Sequence, residues 1–188
     1  KLDSSGILQW VETIGGSGDE ESNSIRIDQS GDILVTGSYS ALVDFDPGSG
    51  TFDQTAVGGP DIFILKLESN GGFIWAKSVG GSSSSFGRSI NNDLSGNIYV
   101  TGLYAGAVDF DPGVGVSNLI SEGLTDAFVL KLDANGEYLW SKSMGGSSND
   151  NGSDIYIDEF ENVYTVGAFK ETVDFDPNAG VNDLTSLG

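Results

Sequence analysis

An internal repeat of 65 residues constrains this chain more than any other feature of its sequence. The pentapeptide Val-Asp-Phe-Asp-Pro occurs three times, beginning at Val43, Val108 and Val173, and successive copies are 65 residues apart. Three further markers share that offset: Trp10, Trp75 and Trp140; Gly15-Gly16, Gly80-Gly81 and Gly145-Gly146; and Lys1-Leu2, Lys66-Leu67 and Lys131-Leu132. Markers that keep one period without insertion or deletion indicate tandem copies of a single structural unit.

Three units account for the whole sequence. They are residues 1–60, which start part-way through a unit, residues 61–125 and residues 126–188. The segment that opens at Asp61 reappears at Asp126, and Lys1 corresponds to the sixth position of that segment. We therefore expect the sequence to be a piece of a longer repeat array.

Within one unit the local signals are those of β-strands. The apolar run 62–67 is typical of a strand covered on both faces, and Asn70-Gly71 is a strong tight-turn pair before a second strand over 72–79. A second hairpin is predicted from strands near 89–92 and 98–102, joined by a turn that contains Gly96. In the third unit Glu161 replaces this glycine, which predicts either a strained turn or a left-handed Asn162.

These signals predict an all-β fold in which each 65-residue repeat contributes about four antiparallel strands. The rest of the repeat is an excursion that carries Val-Asp-Phe-Asp-Pro and a short strand near 118–120, and no stretch shows a sustained helical period. Repeated four-stranded units are typical of propeller blades. A β-solenoid or an open superhelix of sheets is the alternative, because fewer than three whole repeats cannot close an ordinary ring of about 4–8 blades.

The charge and composition exclude several classes of function. With 28 acidic and 8 basic side chains the formal net charge is −20, so extended contact with nucleic acid or with an anionic membrane surface is unfavourable. The chain has no His and no Cys, which removes Ser-His-Asp and Cys-His catalysis, haem ligation and the usual zinc sites. No apolar run approaches the ~20 residues of a membrane span, so membrane insertion is not expected.

The Asp-x-Asp pair in each excursion is the sharpest chemical feature of the sequence. Carboxylates at i and i+2 of an extended segment point the same way, and oxygen ligands of this type suit Ca²⁺. The candidate calcium ligands are Asp44, Asp46, Asp109, Asp111, Asp174 and Asp176. In the alternative interpretation these side chains cap turn amides and the following proline ends a strand. Catalysis is not expected, because an active site is built once from unlike residues whereas every repeat carries the same pair.

Two further sets of residues have both a structural and a functional interpretation. Aromatic residues that recur with the period either pack between sheets or form platforms for sugar rings; they are Trp10, Trp75, Trp140, Tyr39, Tyr104 and Phe169. The polar loops after each Gly-Gly pair, at 17–24, 82–85 and 147–153, vary most between repeats. Such loops either recognise a partner or simply connect strands.

Several longer motifs recur together along the chain. They are Asp-x-Phe-x-Leu-Lys-Leu from Asp61 and Asp126, Gly-Asn-x-Tyr-Val-Thr-Gly from Gly96, and Asp-Phe-Asp-Pro-Gly from Asp44 and Asp109. In combination with Asn-Gly, Trp-x-Lys and Gly-Gly they resemble the bacterial SBBP (beta-propeller repeat) family over the whole chain. The resemblance implies a propeller-like architecture in a large secreted or cell-surface bacterial protein, and it leaves the ligand unspecified. The chain departs from the pattern at Glu12, Glu161 and Asn178.

The sequence therefore predicts a non-catalytic β-propeller-type repeat module of an extracellular bacterial protein, which acts as a structural, adhesive or interaction scaffold. The expected partners are other repeats of the same parent chain or other surface proteins, with a glycan as a further candidate. The alternative is a carbohydrate-binding or carbohydrate-active propeller whose site lies on blades outside this sequence.

Overall fold

The computed structural model describes residues 1–187, which form β-strands, turns and loops only, so the prediction of an all-β chain is confirmed. No helix among these residues is long and apolar enough to span a membrane. In chain order the strands are β1 (Gly15–Gly16), β2 (Glu20–Ile27), β3 (Ile33–Tyr39), β4 (Leu42–Asp44), β5 (Asp53–Thr55), β6 (Asp61–Leu67), β7 (Phe73–Gly81), β8 (Ser85–Asn92), β9 (Ile98–Tyr104), β10 (Ala107–Asp109), β11 (Asn118–Ile120), β12 (Asp126–Leu132), β13 (Tyr138–Gly146), β14 (Asn151–Ile157), β15 (Val163–Ala168), β16 (Thr172–Asp174) and β17 (Asp183–Thr185).

Two sheets of the same construction dominate the fold. The first has the strand order β2-β3-β6-β7-β10-β11 and the second the order β8-β9-β12-β13-β16-β17, with antiparallel pairing throughout. The first four strands of each sheet follow one another along the chain, apart from a short hairpin inserted between the second and the third. Strands β14 and β15 form a two-stranded sheet that corresponds to β8 and β9, and β1, β4 and β5 form a small three-stranded sheet. No sheet within residues 1–187 closes on itself.

The third strand of each sheet shows why the sequence adopts this order. Six of the seven residues of β6 are buried, as its continuous apolar run predicts for a strand with neighbours on both sides and cover on both faces. The tight turn that leads from β6 into β7 has Gly71 at a φ of +96°, in a region where a side chain is disfavoured. The pattern and the turn chemistry therefore specify the same hairpin.

Successive sheets stack through the first strand of the later sheet. Strand β8 packs on β2 and β3, and β14 packs on β8 and β9. Side-chain amides bond across the stack: Asn23 donates to the carbonyl of Gly87 (2.9 Å) and Asn91 to that of Ile155 (3.1 Å). The largest core cluster lies between the two main sheets: Leu34, Ile62, Ile64, Val79, Ile90, Ile98, Val100, Tyr104, Val108, Phe110, Phe128, Leu130 and Leu132. Burial between sheets thus provides the core that one sheet lacks.

The turn between β14 and β15 resolves the two alternatives predicted for Glu161. Glu161 itself takes the left-handed conformation, with a φ of +63°. The turn keeps its hydrogen bonds, because Asp158 Oδ1 accepts from the amides of Phe160 and Asn162. The glutamate carboxylate lies 3.7 Å from the ammonium of Lys131. The turn is therefore retained at the cost of backbone strain.

We expect Glu161→Gly to raise the free energy of unfolding by about 0.5–1 kcal/mol, because glycine adopts a positive φ without the Cβ clash. The half-exposed ion pair with Lys131 that is lost contributes little. Urea denaturation of both proteins would measure the change. The opposite result, a less stable glycine variant, would show that the ion pair outweighs the strain; Glu161→Gln keeps the strain and removes the charge, and so separates the two.

Candidate functional site at the sheet junction

The Val-Asp-Phe-Asp-Pro excursion of each repeat folds into a hairpin that pairs with the Gly-Gly segment earlier in the same 65-residue repeat. We call β4–β5, β10–β11 and β16–β17 the latch hairpins. Strand β10 pairs with the end of β7, with Val108 opposite Gly81 and Asp109 opposite Gly80. Strands β4 and β16 pair in the same way with β1 and β13. Each latch hairpin therefore follows the first two strands of one sheet along the chain but extends the sheet that precedes it.

The Gly-Gly pairs are the surfaces on which the latch hairpins lie. A Cβ added to Gly81 would stand 2.3 Å from the carbonyl oxygen of Ala107, and one added to Gly146 would stand 2.2 Å from that of Thr172. These distances are too short for any side chain, so the second glycine of the pair permits the close approach of the hairpin backbone. These glycines recur in the sequence, but their partner could not be identified from it, since the contact joins two different sheets.

Each Asp-x-Asp pair lies in the bend that closes a latch hairpin. In the middle repeat Asp109 Oδ1 accepts from the amides of Asp111 (3.1 Å) and Ser117 (2.8 Å). Asp111 Oδ1 accepts from the amide of Gly113 (2.8 Å). Asp44 and Asp46 in the first repeat, and Asp174 and Asp176 in the third, make the equivalent bonds. These contacts fix the bend, as the turn-capping interpretation requires.

The same geometry limits how the pairs could bind a cation. Every bond above uses Oδ1, which leaves the other oxygen of each carboxylate open to a calcium ion; carbonyls or water would have to supply the remaining ligands. No group of three or more acidic side chains arranged as a metal site occurs within residues 1–187. A third carboxylate does stand opposite the pair on the first and third hairpins, where Asp53 faces Asp44 and Asp183 faces Asp174. Calcium binding by the six aspartates stays a prediction.

A buried carboxylate lies beneath each Gly-Gly pair of the two main sheets. Asp61 and Asp126 are each 2% exposed. An added Cβ on Gly80 would stand 1.8 Å from Asp61 Oδ1, and one on Gly145 2.1 Å from the Asp126 carboxyl carbon. The first glycine of the pair therefore leaves room for the carboxyl group, while the second leaves room for the hairpin.

Burial controls the protonation of these two groups. It raises the pKa of Asp61 to about 6, against which a hydrogen bond from the amide of Val57 acts. Burial also raises the pKa of Asp126, whose Oδ2 accepts from Ser143 Oγ (3.3 Å). The Ser143 hydroxyl in turn accepts from the Tyr104 hydroxyl (2.7 Å), so a buried Tyr-Ser-Asp chain joins three strands of the second sheet.

Unpartnered polar atoms cluster at the same level of each sheet. Within residues 1–187 the buried side-chain atoms that lack a hydrogen bond are Glu20 Oε1, Asp61 Oδ1, Ser85 Oγ and Asp126 Oδ1. Glu20 and Ser85 are 65 residues apart, as are Asp61 and Asp126, and both positions stand opposite the same tyrosine in their sheet. Ordered water is the usual partner of such atoms. These four positions were not predicted from the sequence, although an Asp that opens an apolar strand in two repeats was a visible signal.

The recurrent aromatic residues Tyr39, Tyr104, Trp75 and Trp140 pack into the core instead of forming a surface platform. Tyr39 and Tyr104 are fully buried and cannot stack on a sugar ring. Trp75 is half-buried and packs against the core between the two main sheets, and Trp140 packs edge-on to Tyr99 at 6.2 Å. The polar loops after the Gly-Gly pairs are engaged as well, since the carbonyl of Ser84 accepts from the amide of Ala105 (3.1 Å). These loops connect one sheet to the next.

The junction holds the Gly-Gly pair and the Asp-x-Asp bend in the same arrangement in every repeat, which suits it to joining sheets. No protein-family model matches the chain. The chain is 28% identical over 156 residues to an uncharacterized WD repeat-containing protein, L264, of Acanthamoeba polyphaga mimivirus; the match covers 78% of this chain and 11% of that protein. It is 27% identical over 131 residues to the regulatory protein FlaEY of Caulobacter vibrioides, covering 68% of this chain and 14% of the relative. The chain thus matches only a small part of each of these longer proteins.

Proposed function

We propose that this chain is a non-catalytic, propeller-type β-repeat module of an extracellular bacterial protein, where it acts as a structural, adhesive or interaction scaffold. The observation that carries the proposal is the latch hairpin, which recurs in every unit and joins each sheet to the one before it. A surface of this kind presents equivalent groups at a fixed spacing instead of one cluster of unlike catalytic groups.

Three further observations support the proposal. The first strands of successive sheets pack side by side, as in blades arranged about an axis. The similarity to a protein described as WD repeat-containing favours a repeat scaffold without enzymatic activity. The sequence resembles the SBBP repeats in its motifs, and this resemblance, together with a net charge of −20, underlies the proposed extracellular location.

Antibody labelling of the bacterium that produces the protein tests the proposed location. We expect antibodies against the folded chain to label intact cells as strongly as permeabilised ones. Label that appears only after permeabilisation would contradict an extracellular role.

The scaffold role predicts that attachment depends on multivalency. Beads that carry the chain at high density should adhere to bacterial or host cells, whereas the same chain free in solution should bind weakly, because linked weak contacts combine into avidity. Beads coated with heat-unfolded chain are the matched control. Tight binding of one glycan by the free chain with a stoichiometry of one would instead favour the carbohydrate-binding alternative.

Calcium binding to the Asp-x-Asp pairs is part of this proposal and has its own test. If Asp109 and Asp111 bind Ca²⁺, chelation should lower the melting temperature, because an ion at 100 times its Kd stabilises the folded state by about 2.7 kcal/mol. The middle repeat is the fair test, since units lie on both sides of it. Replacing both residues by Asn should remove the calcium-dependent difference at that site, while Glu21→Gln removes an exposed charge on β2 as a control. A wild-type melting curve that chelation leaves unchanged would make the motif a structural turn only.

A further inference from the structure

Strand β15 has an unpaired edge, although its sequence is that of a strand with two neighbours. The equivalent strands pair on both sides: β3 lies between β2 and β6, and β9 lies between β8 and β12. Strand β15 pairs only with β14. Residues 163–168 read Val-Tyr-Thr-Val-Gly-Ala, close to the Ile-Tyr-Val-Thr-Gly-Leu of β9. Their surroundings differ instead: β9 is almost wholly buried, while Tyr164 is 56% and Val166 64% exposed.

A cavity of about 240 Å³ lies beside this edge. Its walls include Gly167 of β15, Phe169 in the connection that follows β15, and Val173 and Phe175 of the adjoining latch hairpin. Phe169 and Phe175 already pack edge to face at 5.1 Å, so the walls are ordered in the same way as in the other repeats. The cavity is therefore bounded by preformed aromatic and backbone surfaces.

The two main sheets show what fills the equivalent space. In the second sheet the ring of Phe128 lies over Gly102: a Cβ added to this glycine would stand 3.0 Å from Cε1 of Phe128. The centre of the Phe128 ring lies 5.0 Å from that of Phe110. In the first sheet Phe63 occupies the same position over Gly37, 5.2 Å from Phe45. The residues one period further on from Gly102 and Phe110 are Gly167 and Phe175, which line the cavity.

Polar and charged groups beside the edge of β15 also correspond to those that contact the third strand of each main sheet. Lys131 on β12 lies 3.8 Å from Asp93 and 4.9 Å from the ring centre of Tyr99, and Lys66 on β6 lies 2.8 Å from Asp28. The residues one period on from Asp93 and Tyr99 are Asp158 and Tyr164, and the Tyr164 hydroxyl donates to Asp158 (3.1 Å). An aromatic ring and a carboxylate are thus positioned to contact the lysine of an incoming strand.

We propose that the edge of β15 binds an extended Asp-x-Phe-x-Leu-Lys-Leu strand of a further 65-residue repeat, whose phenylalanine fills the cavity and whose lysine meets Asp158 and Tyr164. This inference rests on the repeat-scaffold function proposed above. The register of β12 on β9 transfers directly, because Asp126, Phe128 and Leu132 stand opposite Tyr104, Gly102 and Ile98. The incoming Asp, Phe and last Leu should then stand opposite Phe169, Gly167 and Val163. Strand addition to an open edge combines backbone hydrogen bonds with side-chain pockets that give specificity.

A synthetic peptide with the sequence of residues 125–146, which spans β12 and β13, tests the proposal. Labelled peptide should bind the chain saturably, and hydrogen exchange should slow at the amides of 163–168 but not at those of β9, which is already paired. Replacing the peptide residue that corresponds to Phe128 by Ala should weaken binding about tenfold or more, because the burial of one aromatic side chain is lost. Replacing the residue that corresponds to Lys131 by Glu should also weaken it. Equal binding by the Ala peptide, or slowed exchange at a site other than β15, would overturn the proposal.

A fusion protein tests the same edge if the free peptide associates with itself in solution. Appending a copy of residues 124–146 directly after Gly188 keeps the 65-residue period. The fusion should melt at a higher temperature than the original chain and protect 163–168 from exchange, and the Phe-to-Ala version should lose most of that gain. A fusion that leaves 163–168 unprotected overturns the proposal. That failure would leave the bead and antibody tests of the scaffold function unaffected, so the two proposals fail separately.

Discussion

Replacing Phe110 by alanine is expected to lower the free energy of unfolding by about 3–5 kcal/mol, because deletion of a buried aromatic side chain removes its burial and leaves a cavity. The Phe110 side chain is fully buried in the bend that closes a latch hairpin. Its ring lies 5.2 Å from that of Tyr104 and 5.0 Å from that of Phe128. It thereby anchors the hairpin to its own sheet, and denaturant unfolding followed by Trp fluorescence would measure the loss.

Val114 provides the matched control, because it belongs to the same excursion and is fully exposed. Val114→Ala should change the free energy of unfolding by less than about 0.5 kcal/mol. A loss below about 1 kcal/mol for Phe110→Ala would mean that the ring does not pack as described.

Lowering the pH from about 7.5 to about 5 should stabilise the chain through Asp61. Burial raises the pKa of this group in the folded state to about 6, above the ~3.9 of an unfolded aspartate. The folded state therefore binds the proton more tightly, and the stability linked to Asp61 rises as the pH falls through 6. Linkage gives a gain of about 1.4 kcal/mol at pH 5 relative to pH 7.5.

The contribution of Asp61 is isolated by comparing two variants across that pH range. Asp61→Asn should lose this part of the pH dependence, whereas Glu21→Gln, at an exposed position of the same sheet, should keep it. Carboxyl groups whose pKa is lowered in the folded state do not interfere above pH 5. Burial of Asp93 is outweighed by hydrogen bonds, chiefly from Asn97 and Tyr99, which lower its pKa, so its stabilising effect is lost only at more acidic pH. An unchanged pH profile in Asp61→Asn would show that Asp61 is ionised in the folded state.

The sequence predicted local structure well because each signal was local. The apolar run before Asn70-Gly71 became β6, and the short run near 118–120 became β11 with the predicted bounds. The pairing partner of the latch hairpin could not be predicted, because it is a pair of glycines in the preceding sheet. Glycine carries no side chain whose chemistry would identify that contact.

The candidate site was predicted only in part for a similar reason. The Asp-x-Asp pairs were identified from their spacing, and the structure shows that their Oδ1 atoms bond to turn amides. Asp61 and Asp126 were identified only as the first residue of a strand motif. Their importance depends on a burial that arises when the preceding hairpin, the Gly-Gly pair and the next sheet come together, and no single stretch of sequence encodes that arrangement.

The latch hairpin also determines how an array of these units behaves as a whole. Because each hairpin completes the sheet that precedes it, we expect the coupling free energy between neighbouring sheets to be large relative to the stability of one unit alone. A chain of such units should unfold over many repeats in one cooperative transition instead of losing single repeats from its ends. The same coupling sets the step of evolutionary change: a duplication or deletion keeps every hairpin matched to a Gly-Gly pair only when it spans a whole number of 65-residue periods.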